Sequence, residues 1–324
     1  MKAEYKVSEG GESGSDLIDG FLKDLELQGK SEGTVRDYRT YVSRFAEFLE
    51  SSESSVSFED VGTRCLRDFI AYLREERGLS EKTIGNYFSG LSSFFEYLKF
   101  EGLVDGNPVL PVRKRYVKVS NGNSGGSKRQ LVSVEEMAML VNSILNARDR
   151  ALVVLLAKTG IRRNELSAID VSDIDWENQS IRLKEKFREG KRSNLTVFFD
   201  DECARVLNRW LGEREEWLKD EDTNALFLNN YGTRLKRHGI QYAVRKHAER
   251  VGLHDPESDD LKDKFTAHCC RHWFTTHLRR NGMPREHIKE LRGDSRGEAM
   301  DIYHHIDKKE LKESYLAHIP SLRL

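Results

Sequence analysis

The feature that most constrains this chain is a break near its middle. Residues 120–128, SNGNSGGSK, contain no apolar side chain and nothing that favours a regular element. Before the break, apolar residues recur only at helical spacing. After it, helical and alternating patterns both occur. A chain interrupted in this way builds one core on each side, and 324 residues suffice for two domains at roughly 100–200 residues each. The expected organisation is a disordered Gly/Ser/Glu-rich tail at 1–15, a helical domain at 16–108, a linker at 109–128 and a larger domain at 129–324.

In the first part, LIDGFLKDLELQ places Leu17, Ile18, Phe21, Leu22 and Leu25 on one helical face. A second helix over TVRDYRTYVSRFAEFLE buries Val35, Tyr38, Val42, Phe45 and Leu49, with Thr34 as its N-cap. A third, CLRDFIAYLREERG, stops at Gly78, and a fourth, rich in aromatics, ends near Gly102. Pro108, Pro111 and the basic run RKRYVKV lead into the linker. In the second part, helices are expected at VEEMAMLVNSILN, RDRALVVLLAKTG, DECARVLNRWLGEREEWL and HGIQYAVRKHAERVG, then from His268 to Gly282, at 284–291 and at KKELKESYLAHI. Two short strands, IDWENQSIRLKEKF and SNLTVFFD, are joined by the basic turn REGKR. Their alternation rests on Ile181, Leu183 and Phe187, then on Leu195 to Phe199. The fold class is mainly α with a small β-sheet.

Composition narrows the setting. No run of about 18 apolar residues occurs, so no membrane span is expected. The opening MKAEYKVSEGGESGSD lacks a basic stretch followed by an apolar one, so no signal peptide is read. Cys65, Cys203, Cys269 and Cys270 form no CxxC pair and no disulfide framework, which fits a reducing interior. Cys65 and Cys203 read as ordinary buried thiols. His268, Cys269, Cys270 and His272 point in different directions from one helix, so no metal site is expected. A net charge of −1 neither favours nor excludes nucleic acid, because Lys and Arg need only gather on one face.

Three segments carry chemistry: TGIRRNEL at 159–166, HCCRHWFTTHL at 268–278 and RGDSRGEAMDIYHHI at 292–306. Cleaving a phosphodiester with a side chain builds negative charge on the non-bridging oxygens. Guanidinium groups suit that charge, being planar, always protonated and bidentate. A nucleophile is needed, and a general acid for the departing 5′ oxygen. His268 and Arg271 stand three apart on a predicted helix, as do Arg162 and Glu165 after the TG turn, so each pair shares a face. Alone, each pair is no more than a common surface arrangement.

In this order, TGIR with Glu165, then HCCRH, then a Gly-containing turn, then IYHH, the motifs resemble the tyrosine recombinase (phage integrase) signature. Arg162 matches the first Arg, Glu165 the acidic position, His268 and Arg271 the HxxR pair, and Tyr303 the nucleophile. Asp294 lies 23 residues after Arg271, and Tyr303 nine further on, spacings similar to those of Xer-type recombinases. The likeness covers most of the chain. Residues 16–105, with T-x-x-x-Y at Thr34 to Tyr38, resemble the SAM-like core-binding domain, and residues 129–321 the catalytic domain.

The resemblance implies a site-specific recombinase or integrase that forms a 3′-phosphotyrosyl link and frees a 5′ hydroxyl. It implies no cofactor, since bond energy stays in the covalent link. The implied partners are a double-stranded DNA target held between the two domains, a homotetramer in the synaptic complex built from protomers that are monomers in solution, and an accessory directionality factor. The implied location is cytoplasmic, at the nucleoid. The family's hairpin lysine falls at Lys186 counted forward from the first strand and at Lys191 counted back from LTVFF. Lys184, Arg188 and Arg192 read as phosphate contacts. Asp294 departs from the pattern, since the family has His or Trp there as a hydrogen-bond donor, and an ionised carboxylate cannot donate. Protonation, a bridging water, or orientation of an Arg or of Tyr303 would each give it a role, and His304 or His305 can supply the missing donor. The arrangement also faintly resembles archaeal-type integrases. His272 and His277 are expected to support the helix of Arg271, with Trp273 and Phe274 in the core. The C-terminal stripe of Leu311, Tyr315, Leu316 and Ile319 suits docking in cis or on a neighbouring protomer. The alternative functions are a catalytically weak or inactive DNA-binding regulator of the same fold, and a type IB topoisomerase-like relaxing activity.

Overall fold

A computed structural model describes residues 13–51, 56–117, 131–183, 195–219, 223–294 and 306–324. It separates into two compact units, Met1–Gly126 and Ser127–Leu324.

The first unit is built from α1 (Gly14–Leu27), α2 (Glu32–Ser51), α3 (Thr63–Ala71), α4 (Glu81–Phe100) and α5 (Val109–Tyr116). Helix α1 starts inside the expected tail because Ser13 and Asp16 form a reciprocal capping box. In α2 the cap is Ser31, whose Oγ accepts from the Thr34 amide at 3.0 Å, so Thr34 lies within the helix. Helix α3 runs on through a π turn at Tyr72–Glu76. The core gathers on α4, whose Phe88, Phe94 and Phe95 are fully buried among Phe21, Phe45 and Phe69. Edge-on pairs such as Phe58–Phe94, 4.8 Å between centroids, suit the ring quadrupoles. The expected linker begins too early. Val109 and Val112 are buried as α5 packs on α3 and α4, and Pro111 in the first turn of α5 forfeits no helical hydrogen bond. The unit therefore has a fifth helix beyond the four expected.

The second unit centres on α7 (Ala147–Thr159), which is buried on nearly every side and packs against α6 (Val134–Ser143), α9 (Asp201–Trp217), α10 (Arg237–Arg250) and α11 (Ala267–Arg280). A short α8 (Arg163–Ala168) follows α7, while α12 (Arg285–Arg292) and α13 (Lys308–His318) follow α11. The sheet has three antiparallel strands where two were expected: β1 (Ile174–Asp175), β2 (Ser180–Arg182) and β3 (Thr196–Phe198), in that order. IDWENQSIRL is itself a hairpin. The Asp175 carboxylate accepts from the Asn178 amide at 2.9 Å, and Gln179 takes a positive φ of 46°, which reverses the chain within what reads as one strand. Ile181 pairs with Ile174 on one side and Val197 on the other. Phe187 and the turn REGKR lie outside the described residues.

The C-terminal segment packs in cis. Tyr315 is buried, and its hydroxyl donates to the Lys158 carbonyl at 3.0 Å. Leu311 is buried too, whereas Leu316 of the expected apolar stripe faces solvent. Lys158 is fully buried on α7, with its ammonium 2.6 Å from both Asp200 and Glu202 and 2.7 Å from the Pro320 carbonyl. Such a charge is tolerable inside only when its three donors are all used. Glu202 in turn accepts from the Leu322 and Leu324 amides and the Ser321 hydroxyl. Burial alone pushes the Glu202 carboxyl up, but these donors and Lys158 outweigh it and bring its pKa down to about 2.

A carboxylate with a depressed folded pKa stabilises the fold above its unfolded value, and that contribution is lost as pH falls through the folded value. Glu202→Gln is therefore expected to lower the urea midpoint by a constant amount above about pH 5. The gap should close progressively toward pH 2. A gap independent of pH would mean that Glu202 is not ionised in the folded protein.

Candidate active site

Two arginines from different elements meet at one point. Arg162 precedes α8, and Glu165, buried within that helix, holds it twice. One carboxylate oxygen accepts the Arg162 backbone N–H at 2.7 Å and the other accepts its Nη1 at 3.1 Å. The spacing of three thus makes Glu165 both a cap and a brace. Arg271 sits on α11 and is only 6% exposed. Its Nη1 donates to the Gly160 carbonyl at 2.6 Å and its Nη2 to the Arg292 carbonyl at 3.1 Å. Burial, then the charges of Arg162 and Arg292, bring the Arg271 pKa down to about 10, which leaves it protonated at neutral pH.

The turn that carries Gly160 is what permits this. Helix α7 ends there with φ at +61°, a left-handed conformation that glycine adopts without penalty. A Cβ at this position would stand 2.4 Å from a ring carbon of Phe274, one turn beyond Arg271 on α11. Phe274 presses on the turn, and Arg271, one turn earlier on α11, donates to the buried Gly160 carbonyl. The TG of the motif is thus a packing requirement as well as a turn.

Asp294 follows α12, where Gly293 reverses the chain at φ +59°. One oxygen of its carboxylate lies 3.5 Å from Arg162 Nη2 and 3.4 Å from Arg271 Nη2, and the other lies 3.1 Å from Arg292 Nε. Of the roles open to Asp294 from sequence, this geometry is that of an acceptor spanning guanidinium groups. His268, exposed in the first turn of α11, joins Arg162 and Arg271 in lining a cavity of about 410 Å³. The structure therefore brings together Arg162, Glu165, His268, Arg271 and Asp294. Tyr303, Lys186, Lys191, His304 and His305, like Lys184, Arg188 and Arg192, lie outside the described residues.

The neighbouring residues divide. Trp273 and Phe274 are buried, as is His277, whose Nε2 is 3.1 Å from the Val132 carbonyl, while His272 is exposed. Cys203 is buried, but Cys65 is only partly so. Sequence reasoning missed Arg292 and the Gly160 carbonyl, both partners of Arg271. Arg292 carried a faint signal, standing directly before the glycine turn, whereas a carbonyl leaves none. Arg163, Gln241 and Arg245, which also line the cavity, were not singled out either.

Residues 130–310 match the model of the phage integrase family, and residues 17–102 match the phage integrase N-terminal SAM-like domain. The chain is 32% identical over 316 residues to tyrosine recombinase XerC of Oceanobacillus iheyensis, covering 94% of this chain and 95% of that protein. It is 25% identical to XerD of the same organism over 308 residues, 94% of this chain and 98% of that one. Among solved structures, XerH recombinase in a post-cleavage complex with a palindromic difH substrate shares the fold with a TM-score of 0.67. That match has 23% identity and covers 93% of this chain and 84% of the other. The Tn1549 transposon integrase bound to circular intermediate DNA follows with a TM-score of 0.63 and 19% identity, covering 92% and 98%. The likeness to archaeal-type integrases gains no support from these matches.

Gly160→Ala is expected to lose about 2–4 kcal/mol of stability, from left-handed strain together with overpacking against Phe274. Chemical denaturation checks this. A loss under about 0.5 kcal/mol, the size of a surface substitution, would mean that the turn is not held by Phe274.

Proposed function

The chain belongs to the phage integrase family, and on that premise we propose that it is a site-specific DNA recombinase, cutting and rejoining duplex DNA through a covalent link to Tyr303. The observation that carries the reading is the convergence of Arg162 and Arg271 on a single anion position. A scissile phosphate placed there would have both guanidinium groups on its non-bridging oxygens as charge develops, which is where preorganised donors contribute most. Tyr303 attacks the phosphorus, the 3′ phosphate becomes joined to the tyrosine oxygen, and the 5′ oxygen leaves with a proton from Lys186 or Lys191. A 5′ hydroxyl from a partner strand reverses the step and releases Tyr303. His268, at the cavity wall, is suited to take the tyrosine proton. No nucleotide or metal is called for, because the phosphodiester bond energy is kept in the link.

Asp294 serves the DNA-free enzyme. Three arginines crowd this point, and its carboxylate offsets their repulsion and keeps Arg162 and Arg271 turned toward each other. When phosphate arrives the carboxylate gives way to it, which makes Asp294 a competitor where relatives of the family pattern have a donor.

The partners we propose are a duplex DNA target and a homotetramer in the synaptic complex, assembled from monomers with the aid of a directionality factor. The setting is the cytoplasm at the nucleoid. Among the described residues, no helix is long and apolar enough to cross a membrane. An inactive DNA-binding regulator is the weaker reading, since Arg162, His268, Arg271 and Tyr303 are all retained. A topoisomerase-like activity is weaker too, given the match to the N-terminal SAM-like domain of integrases.

A pool of nicked, randomised duplexes tests the proposal. Wild-type protein should capture particular strands as an adduct stable to denaturation, and Tyr303→Phe should capture none. An adduct that persists in the Phe variant would move the nucleophile elsewhere, and a wild type that binds DNA yet forms none would favour the regulator.

On a captured substrate, Asp294→His should speed adduct formation by about tenfold, a donor replacing a competing acceptor. A slower His variant would show that the carboxylate is required during cleavage.

A further inference from the structure

The cavity that holds Arg162 and Arg271 extends beyond them. At about 410 Å³ it falls among sites for small ligands rather than for one tetrahedral ion. Its remaining wall carries Arg163, Gln241 and Arg245. Among the described residues no carboxylate lines it, and neither Arg163 nor Arg245 is ion-paired with one. Two guanidinium groups with no carboxylate partner, beside a pair already assigned to a phosphate, form an anion site with room for a second occupant.

The row is held in place from behind. Gln241 and Arg245 are one turn apart on α10, whose opposite face buries Ile240, Val244 and His247. His247 Nε2 lies 2.8 Å from the buried Asp149 carboxylate, which ties α10 to α7. Across the cavity, Arg163 Nη1 donates to Gln241 Oε1 at 3.3 Å. The Gln241 amide nitrogen is buried without a hydrogen-bond partner among the described residues. A buried donor left unpaired is costly and calls for an acceptor.

We propose that Arg163, Gln241 and Arg245 form a second phosphate subsite, which grips the phosphate next to the scissile one on the cleaved strand. The subsite fixes the register of the strand and so decides which phosphate reaches Arg162 and Arg271. It rests on the reading of those two arginines as the scissile clamp. These three are positioning residues, since they touch a phosphate that does not react.

Two arms test it. In the first, binding to a short mixed-sequence duplex is measured as a function of salt. Arg163→Gln and Arg245→Gln should each reduce the slope of log K against log salt by about one. Arg209→Gln, on α9 and paired with Glu213, serves as the control and should leave the slope unchanged. Unchanged slopes in both cavity variants, with unfolding midpoints matching wild type, overturn the subsite. In the second, a neutral methylphosphonate replaces each phosphate flanking the cleavage position of a captured strand. At one of these positions it should slow wild-type cleavage about tenfold and cost the Arg163→Gln/Arg245→Gln double variant nothing more. An equal loss in both proteins overturns the proposal. A wild type that forms no adduct at all speaks against the recombinase reading alone, and the first arm still decides the subsite.

Discussion

The catalytic unit depends on keeping a guanidinium charge inside a protein. Arg271 is almost wholly buried, and an unpaired ion there would be prohibitive. Its charge is held by the carbonyls of Gly160 and Arg292 and by the Asp294 carboxylate. Each of those partners makes a demand on the chain. The first needs a left-handed residue after α7. The second needs α12 to end beside α11. The third needs another left-handed turn at Gly293. The buried charge thus fixes the ends of two helices, α7 and α12, and Arg162 reaches the same point from the start of a third, α8.

A second buried charge does similar service below the site. Lys158 lies on α7 just before the Gly160 turn, and its three partners bring Asp200, Glu202 and the Pro320 carbonyl together. The C-terminal segment is thereby anchored to α7 and α9, with Tyr315 packed over the Lys158 carbonyl. Residues 295–305, which include Tyr303, are bounded on one side by Asp294 and on the other by this anchored segment.

Much of this was legible in the sequence. Helical periodicity located α1 to α4 and the principal helices of the second unit, because their buried faces follow the 3.6-residue repeat. The order of the motifs around Arg162, His268 and Arg271, through its resemblance to a family signature, pointed to the candidate site, where Arg162 and Glu165 meet as cap and brace rather than on one helix face. What escaped did so for physical reasons. Helix α5 was hidden by its prolines and basic run, which read as linker although Val109 and Val112 are apolar. The β1–β2 hairpin was hidden because its turn rests on an Asp175–Asn178 contact within a stretch that still alternates. The carbonyls of Gly160 and Arg292 that hold Arg271 are backbone atoms, which no residue type announces. Arg163, Gln241 and Arg245 meet only through the packing of α8 against α10, a matter of three dimensions. The role of Asp294 could be posed from sequence as a departure from a pattern. Its placement between two arginines came from the turn at Gly293.

On the proposed reading, Arg162 and Arg271 stabilise charge on the non-bridging oxygens of one phosphate. The most direct measurement is cleavage of a captured strand by Arg162→Ala, with the scissile phosphate either natural or replaced by a methylphosphonate. The substitution removes the charge that Arg162 is held to offset. The variant should be nearly inert on the natural strand and recover substantial cleavage on the neutral one, with Tyr303 still required. A variant equally inert on both strands would contradict the account and assign Arg162 to holding the fold.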